Sequence, residues 1–233
     1  MYLGRVVGLG LNEDGNPFAI YAVSGRSEGS RARKAEIKDN IVEIGPIGDI
    51  SPEQEKMKDL IFYPAIIAKN EERYVIVSNG IQTKYMFEET GVGYRNIFNL
   101  IPDGFEKAGG VEPDDYGTPR IGGFLNILHE RNPSGGLGII TKEKTGVSDV
   151  NFERGKVKYV STYKGDPDNP ENVIIPEYYD IPAGKLELSG ENAQELADKL
   201  YDWMDSNLVV CSAVALWLPD ENKWELARKN LHE

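Results

Sequence analysis

Glu112-Pro113-Asp114-Asp115-Tyr116-Gly117-Thr118-Pro119-Arg120-Ile121 packs three carboxylates, a Tyr, a Thr and an Arg around one Gly and two Pro. Gly and Pro set sharp backbone geometry and leave the polar side chains projecting from a loop. Loops held by a rigid scaffold are where chemistry usually sits. On its own the stretch reads first as a solvated acidic loop with Arg120 pairing a neighbouring carboxylate. The residues just downstream bear on the architecture. Ile121, Phe124, Leu125 and Leu128 recur at helical spacing. That spacing predicts a helix over residues 121–129 that starts just after Pro119-Arg120, with Thr118 as its N-cap.

Upstream, Tyr2 to Leu11 reads as a strand, Asn12 to Pro17 as a turn and Phe18 to Ser24 as a second strand, which makes a hairpin. Gly25 to Lys34 is a polar, Arg-rich loop, and Ile37 to Ile47 is strand-like with a Gly-Pro break. Ser51-Pro52-Glu53-Gln54 has the form of a capped helix start. Ile61–Ala68 and Tyr74–Ser78 are apolar strands, and Thr83 to Leu100 can be helical with interruptions at Gly91 and Gly93. Downstream, strands are expected at Leu137–Thr141, Lys156–Thr162 and Val209–Leu218. Ser189 to Asp205 is the clearest helix, with Leu196, Leu200, Trp203 and Met204 on one face. Residues 166–182 hold four of the thirteen prolines and read as an irregular excursion. Strands first and last, with helices between, suggest stacked antiparallel sheets covered by helices rather than a βαβ series.

The bulk composition narrows the function. A net charge of -12 over 233 residues argues against a nucleic-acid or membrane surface. It leaves room for a small phosphorylated ligand, because a few Arg side chains can make one cleft locally positive. Hydrophobic content of 40% supports a sizeable core. The single cysteine, Cys211, sits in an apolar run and reads as a small buried hydrophobe. No signal-like segment or run of ~20 apolar residues is present, so a cytoplasmic protein is expected.

Several segments carry candidate chemistry. Arg26 and Arg31 flank Ser27 and Ser30 in a loop that also holds Gly25 and Gly29. Guanidinium forks, hydroxyls and free backbone N–H groups suit a phosphate monoester. The same loop reads as a solvated basic segment together with Arg33 and Lys34. Tyr63 lies in an apolar strand, where a phenol ordinarily packs and finds one hydrogen bond. Asn79-Gly80 ends the next strand in a turn. Neither His129 nor His232 sits in a metal-ligand pattern, and no GxSxG or GxGxxG is found, so no metal or dinucleotide is expected.

In order, Met1-Tyr2-Leu3-Gly4-Arg5, Ser24-Gly25-Arg26-Ser27 with Arg31, Ile61-Phe62-Tyr63, Val77-Ser78-Asn79-Gly80 with Gln82-Thr83, and Glu112-x-Asp114 followed by Thr118-Pro119-Arg120-Ile121 resemble the archaeal-type IMP cyclohydrolases. Gly138-Ile139-Ile140-Thr141 and Tyr159 to Gly165 extend the likeness. The resemblance implies a single α+β domain over residues 1–233. Its fold would be the four-layer αββα sandwich of the N-terminal-nucleophile hydrolases, without an N-terminal nucleophile. It implies closure of the purine ring of 5-formamidoimidazole-4-carboxamide ribotide to give IMP and water, with no cofactor. Glu112, Tyr63 and Arg31 are then the catalytic candidates. Arg26, Ser27, Asn79, Gly80, Thr118 and Arg120 are the substrate-binding candidates. The expected partner is a small nucleotide, with a homo-oligomer left open. A nucleotide-binding sensor and an amide hydrolase on a related nucleotide are the alternatives. The chain departs from the family pattern at Pro64, where Asn is typical, at Gly110, where an acidic residue is common, and at Ala22, which replaces an Arg expected near Ser24.

Overall fold

The computed structural model describes residues 1–50, 52, 55, 58–90, 96–127, 133–175 and 181–232. Strands β1 (Arg5–Leu11), β2 (Pro17–Ser24), β10 (Lys156–Ser161), β13 (Gly184–Glu187), β14 (Val209–Leu218) and β15 (Lys223–Asn230) form one sheet in the order β13-β10-β1-β2-β14-β15. Strands β3 (Arg33–Lys38), β4 (Ile41–Pro46), β5 (Tyr63–Lys69), β6 (Tyr74–Ser78), β7 (Arg120–Asn126), β8 (Ser134–Ile140) and β9 (Thr145–Asp149) form a second sheet in sequence order. Neighbouring strands pair antiparallel in both sheets.

The sheets face one another across the largest apolar cluster. Val7, Tyr21, Ala213 and Trp217 come from one sheet, and Ile44, Tyr63, Val77, Ile121 and Leu137 from the other. The outer face of the six-stranded sheet, with Val6, Phe18, Ile20 and Val214, is covered by Leu196 and Leu200 of a helix, Ala193–Trp203. Asn192 caps that helix by accepting from the Glu195 N–H at 2.9 Å. The helix is shorter than the predicted Ser189–Asp205, because its caps fall inside that range. The outer face of the seven-stranded sheet packs Ile76 and Phe124 against Met86, Leu100, Ile101 and Phe105. These come from two helices, Gln82–Thr90 and Ile97–Lys107. Together the two helices replace the single interrupted one expected over Thr83–Leu100. Gly91 and Gly93, and most of the predicted helix start at Ser51-Pro52-Glu53-Gln54, lie outside the described residues.

Numbered in chain order, the helices are α1 (Glu28–Arg31), α2 (Lys58–Ile61), α3 (Gln82–Thr90), α4 (Ile97–Lys107) and α5 (Ala193–Trp203). The Gly25–Lys34 segment is therefore not all loop. Its middle forms α1 and its end enters β3. In the Pro-rich excursion, β11 (Tyr163–Gly165) and β12 (Pro170–Asn172) make a small hairpin. Among the described residues no helix is long and apolar enough to cross a membrane.

The predicted helix over residues 121–129 is overturned. Arg120–Asn126 is strand β7, paired with β6 at Ser78↔Gly122 and with β8 at Ile121↔Ile139. Ile121, Leu125 and Ile127 face the other sheet, while Phe124 faces the α3–α4 side. A strand buried on both faces is apolar at every position, so helical spacing arises within it without meaning a helix. The Gly122-Gly123 pair disfavours a helix and serves close packing here. A Cβ on Gly122 would lie 3.2 Å from Met86 Cε, and one on Gly123 would lie 3.0 Å from Leu137 Cδ2. His129 lies outside the described residues.

Candidate active site

Glu112 is the hub of a buried polar array at one end of the inter-sheet space. It is 4% exposed. Its backbone N–H donates to the Thr118 carbonyl at 2.9 Å, which closes the 112–118 loop. Its carboxylate accepts from Arg5 Nη2 in a salt bridge and from Asn79 Nδ2 at 3.3 Å. Arg5 is fixed at the start of β1. Its N–H donates to Thr162 Oγ1 at 3.1 Å, and its carbonyl accepts from the Thr162 N–H at 3.0 Å. Gly4, with φ of +68°, makes that approach possible, because a Cβ there would collide with Thr162 and the Tyr163 ring.

Asn79 ties the array to the sheet. Its Nδ2 also donates to the Pro119 carbonyl at 3.1 Å, and its Oδ1 accepts from the Ile121 N–H at 2.7 Å and from Gln82 Nε2 at 2.8 Å. Gln82 Oε1 in turn accepts from Arg120 Nη1 at 3.0 Å. Arg120 Nε and Nη2 donate to the carbonyls of Gly110 at 2.8 Å and Ala108 at 3.3 Å. Gly80 leaves room for this stack. A Cβ on it would sit 2.6 Å from Gln82 Oε1 and 2.7 Å from Arg120 Nη1.

Tyr63, at the start of β5, is buried beside this array. Its hydroxyl lies 2.6 Å from that of Tyr21 on β2, with the rings edge-on at 87°. Arg33, read from sequence as solvated, is instead buried at the start of β3, its Nε donating to the Ser30 carbonyl at 3.0 Å. Burial raises the Tyr63 hydroxyl above its usual range, and the guanidinium groups of Arg5 and Arg33 oppose that. Burial and the neighbouring Tyr63 push Tyr21 well up. Burial also pushes the Glu112 carboxyl up; Arg5 and Arg120 pull it back without offsetting the burial, and Asp114 adds to the rise. Burial disfavours the charge on Arg5, but Glu112, Tyr63 and Tyr21 hold it there more firmly than usual.

Thr118 is not a helix cap. Its N–H donates to Asp114 Oδ1 at 2.9 Å, and its hydroxyl bonds the same carboxylate and lies 2.6 Å from the Tyr163 hydroxyl. Tyr163 stacks on Tyr2 with centroids 5.6 Å apart, and the Arg26 guanidinium sits 5.2 Å from the Tyr2 ring centroid. Arg26 is exposed and donates to the Pro167 carbonyl at 3.0 Å. Ser27 caps α1, accepting from the Ser30 N–H at 3.2 Å. Arg31 donates to the Asn207 carbonyl. The structure thus joins Glu112, Asn79, Gly80 and Arg120, with Tyr63 and Thr118 alongside. Among the described residues, Arg26, Ser27 and Arg31 share no hydrogen bond or ion pair with Glu112, Tyr63 or Arg120.

Arg5, Tyr21, Gln82, Arg33, Asp114 and Tyr163 were not picked out from sequence as site residues. Arg5 carried a usable signal, a charge opening an otherwise apolar strand. The departures from the family pattern have local settings. Pro64 falls where the β4–β5 register shifts next to Glu43, a place that tolerates a missing N–H. Gly110, at φ +82°, supplies the carbonyl that Arg120 holds. Ala22 packs on the α5 side of its sheet.

Residues 2–221 match the family model described as IMP cyclohydrolase-like protein. The chain is 31% identical to the IMP cyclohydrolase of Methanocaldococcus jannaschii, covering 93% of this chain and 94% of that one. It is 27% identical to the IMP cyclohydrolase of Thermococcus kodakarensis, covering 97% and 96%. It is 33% identical to that of Methanosphaera stadtmanae, covering 70% and 74%. With the family model spanning nearly the whole sequence, the chain belongs to the IMP cyclohydrolase-like family.

Proposed function

We propose that the IMP cyclohydrolase activity of this chain resides in the buried array around Glu112. In ring closure the carboxamide nitrogen of the formamido ribotide loses one proton and bonds to the formyl carbon. The formamido nitrogen then loses its proton as the C–O bond breaks, and the oxygen leaves with the two protons as water. An amide nitrogen is a weak nucleophile, so the step needs a proton acceptor and a donor to the developing oxyanion. Orientation supplies much of the rest, because both reacting groups belong to one molecule.

The observation that carries this reading is Glu112, a buried carboxyl in contact with Arg5 and Asn79. In the proposal it takes the amide proton and returns it to the departing oxygen. Tyr63, backed by Tyr21, donates to the formyl oxygen. To serve as a second donor, Arg31 must leave the Asn207 carbonyl. Arg26, Ser27 and the Tyr2–Tyr163 stack hold the phosphate and base, while Asn79, Gly80, Thr118 and Arg120 shape the site. The inter-sheet core, with α5 outside one sheet and α3–α4 outside the other, supports a single αββα sandwich of the N-terminal-nucleophile hydrolase type. A cytoplasmic setting fits the lone, buried Cys211.

The test is to incubate the purified protein with the formamido carboxamide ribotide, follow purine absorbance and identify IMP by chromatography. Formation of IMP above the uncatalysed background is expected. A folded protein that binds IMP and forms none would favour a nucleotide sensor. Release of formate with no ring closure would favour an amide hydrolase.

A further inference from the structure

Arg5 is the cation that the acid and both phenols share. It contacts the Glu112 carboxylate directly. It also acts through its field on Tyr63, Tyr21 and, more remotely, Tyr163. Its backbone is clamped on both sides by Thr162, and it opens the strand whose register places Val7 opposite Tyr21. Its Nε is buried and has no hydrogen-bond partner. A guanidinium placed for packing alone would have its donors satisfied, since buried polar groups almost always are. The Glu112 carboxyl faces charged or titratable groups from each neighbouring element. These are Arg5 from β1, Arg120 from β7 and Asp114 from its own loop, with Tyr63 of β5 and Tyr21 of β2 beyond Arg5. Arg33 of β3 acts on Tyr63. Arg120 is already held by Gln82 and two carbonyls, so Arg5 is the cation in direct contact with the carboxylate.

We propose that Arg5 is a positioning residue of the reaction, holding the Glu112 carboxylate in its proton-accepting form and aimed between Asn79 and Tyr63. The inference rests on Glu112 being the proton acceptor. A contacting opposite charge depresses a carboxyl by ~1–3 pKa units. Without it, burial and Asp114 act on Glu112 against Arg120 and the Asn79 donor alone among the described contacts.

The experiment compares pH profiles of kcat for the wild type, Arg5→Lys and Arg5→Met. The acid limb is expected to move up by about one to three pH units in Arg5→Met and to stay near the wild-type position in Arg5→Lys. KM is expected to change less than threefold in both. An acid limb that stays in place in Arg5→Met while kcat falls equally at every pH would overturn the proposal and leave Arg5 a structural group. If Arg5→Met fails to fold, as judged by circular dichroism, Arg5→Gln and Arg5→Lys carry the same comparison. An unshifted limb in Arg5→Gln is then the overturning result. A wild type that forms no IMP would sink the parent reading instead, which keeps the two failures apart.

Discussion

The hydroxyls of Tyr21 and Tyr63 meet at 2.6 Å across the space between the two sheets, one phenol from each. The contact gives each buried hydroxyl a hydrogen-bond partner within the largest apolar cluster. Tyr21→Phe removes one partner and leaves the Tyr63 hydroxyl buried without it. Leaving such a group unsatisfied costs about 1–3 kcal/mol. The expected outcome is a lower urea midpoint together with a fall in kcat that exceeds any change in KM. A variant with unchanged stability and unchanged kcat would separate the pair from both roles.

Glu112→Gln keeps the shape of the side chain and an acceptor for Arg5 and Asn79, and removes the titrating proton. Positioned acid–base groups contribute typically about 10²–10⁴-fold. Turnover is expected to fall within that range, with IMP binding retained in a thermal-shift titration. The wild-type acid limb should lie above the ordinary carboxylate range, because burial raises the Glu112 carboxyl. That limb should vanish in the Gln variant. Near-normal turnover would reduce Glu112 to a structural carboxylate.

Most strands and the α5 face were legible in the sequence, because alternation and apolar runs are local signals. Segment 120–126 was misread because a strand buried on both faces loses its alternation. Strand β15 was missed because Lys223, Glu225, Arg228 and Lys229 mask its two buried apolar anchors, Trp224 and Ala227. The Glu112, Asn79 and Arg120 part of the candidate site was legible from turn chemistry and family likeness. Arg5 showed only as a charge opening an apolar strand, and Tyr21 not at all, because their contacts join residues distant in sequence, 42 apart for Tyr21–Tyr63 and 107 apart for Arg5–Glu112.

Gly80→Ala tests how tightly the turn must pack. The added methyl would press on Gln82 Oε1 and Arg120 Nη1, both within 2.7 Å of the new Cβ. Arg120 must then give up its bond to Gln82, which frees Gln82 from orienting Asn79. The backbone at Gly80 has no positive φ, so the effect is steric and not conformational. The fold is expected to survive with a moderate loss of stability, about 1–3 kcal/mol, the usual cost of overpacking. Activity should fall further than that loss explains, read as kcat/KM at a temperature where the variant is fully folded. Full activity would mean that Arg120 and Asn79 need no fixed spacing.

The protein should lose stability steeply in alkali, and its buried acids set the sign. Burial raises Tyr21 and Tyr63 above their ordinary value of 10.0, and raises the Cys211 thiol from 9.0 to about 12. Each group therefore ionises first in the unfolded chain. Its contribution is complete below the unfolded value and is lost as pH rises toward the folded one. Each such group adds a slope of up to about 1.4 kcal/mol per pH unit over that window. Denaturant midpoints measured from pH 8 to 12 are expected to hold up to about pH 9 and then fall, with Cys211→Ala flattening the onset and Tyr21→Phe flattening the slope above pH 10. The same burial makes Cys211 unreactive in the native protein, so a thiol reagent at pH 8 should label it only at the rate of unfolding. Rapid labelling of the folded protein, or a midpoint that stays flat to pH 11, would show that water reaches the inter-sheet core and that the raised values of these three groups do not hold.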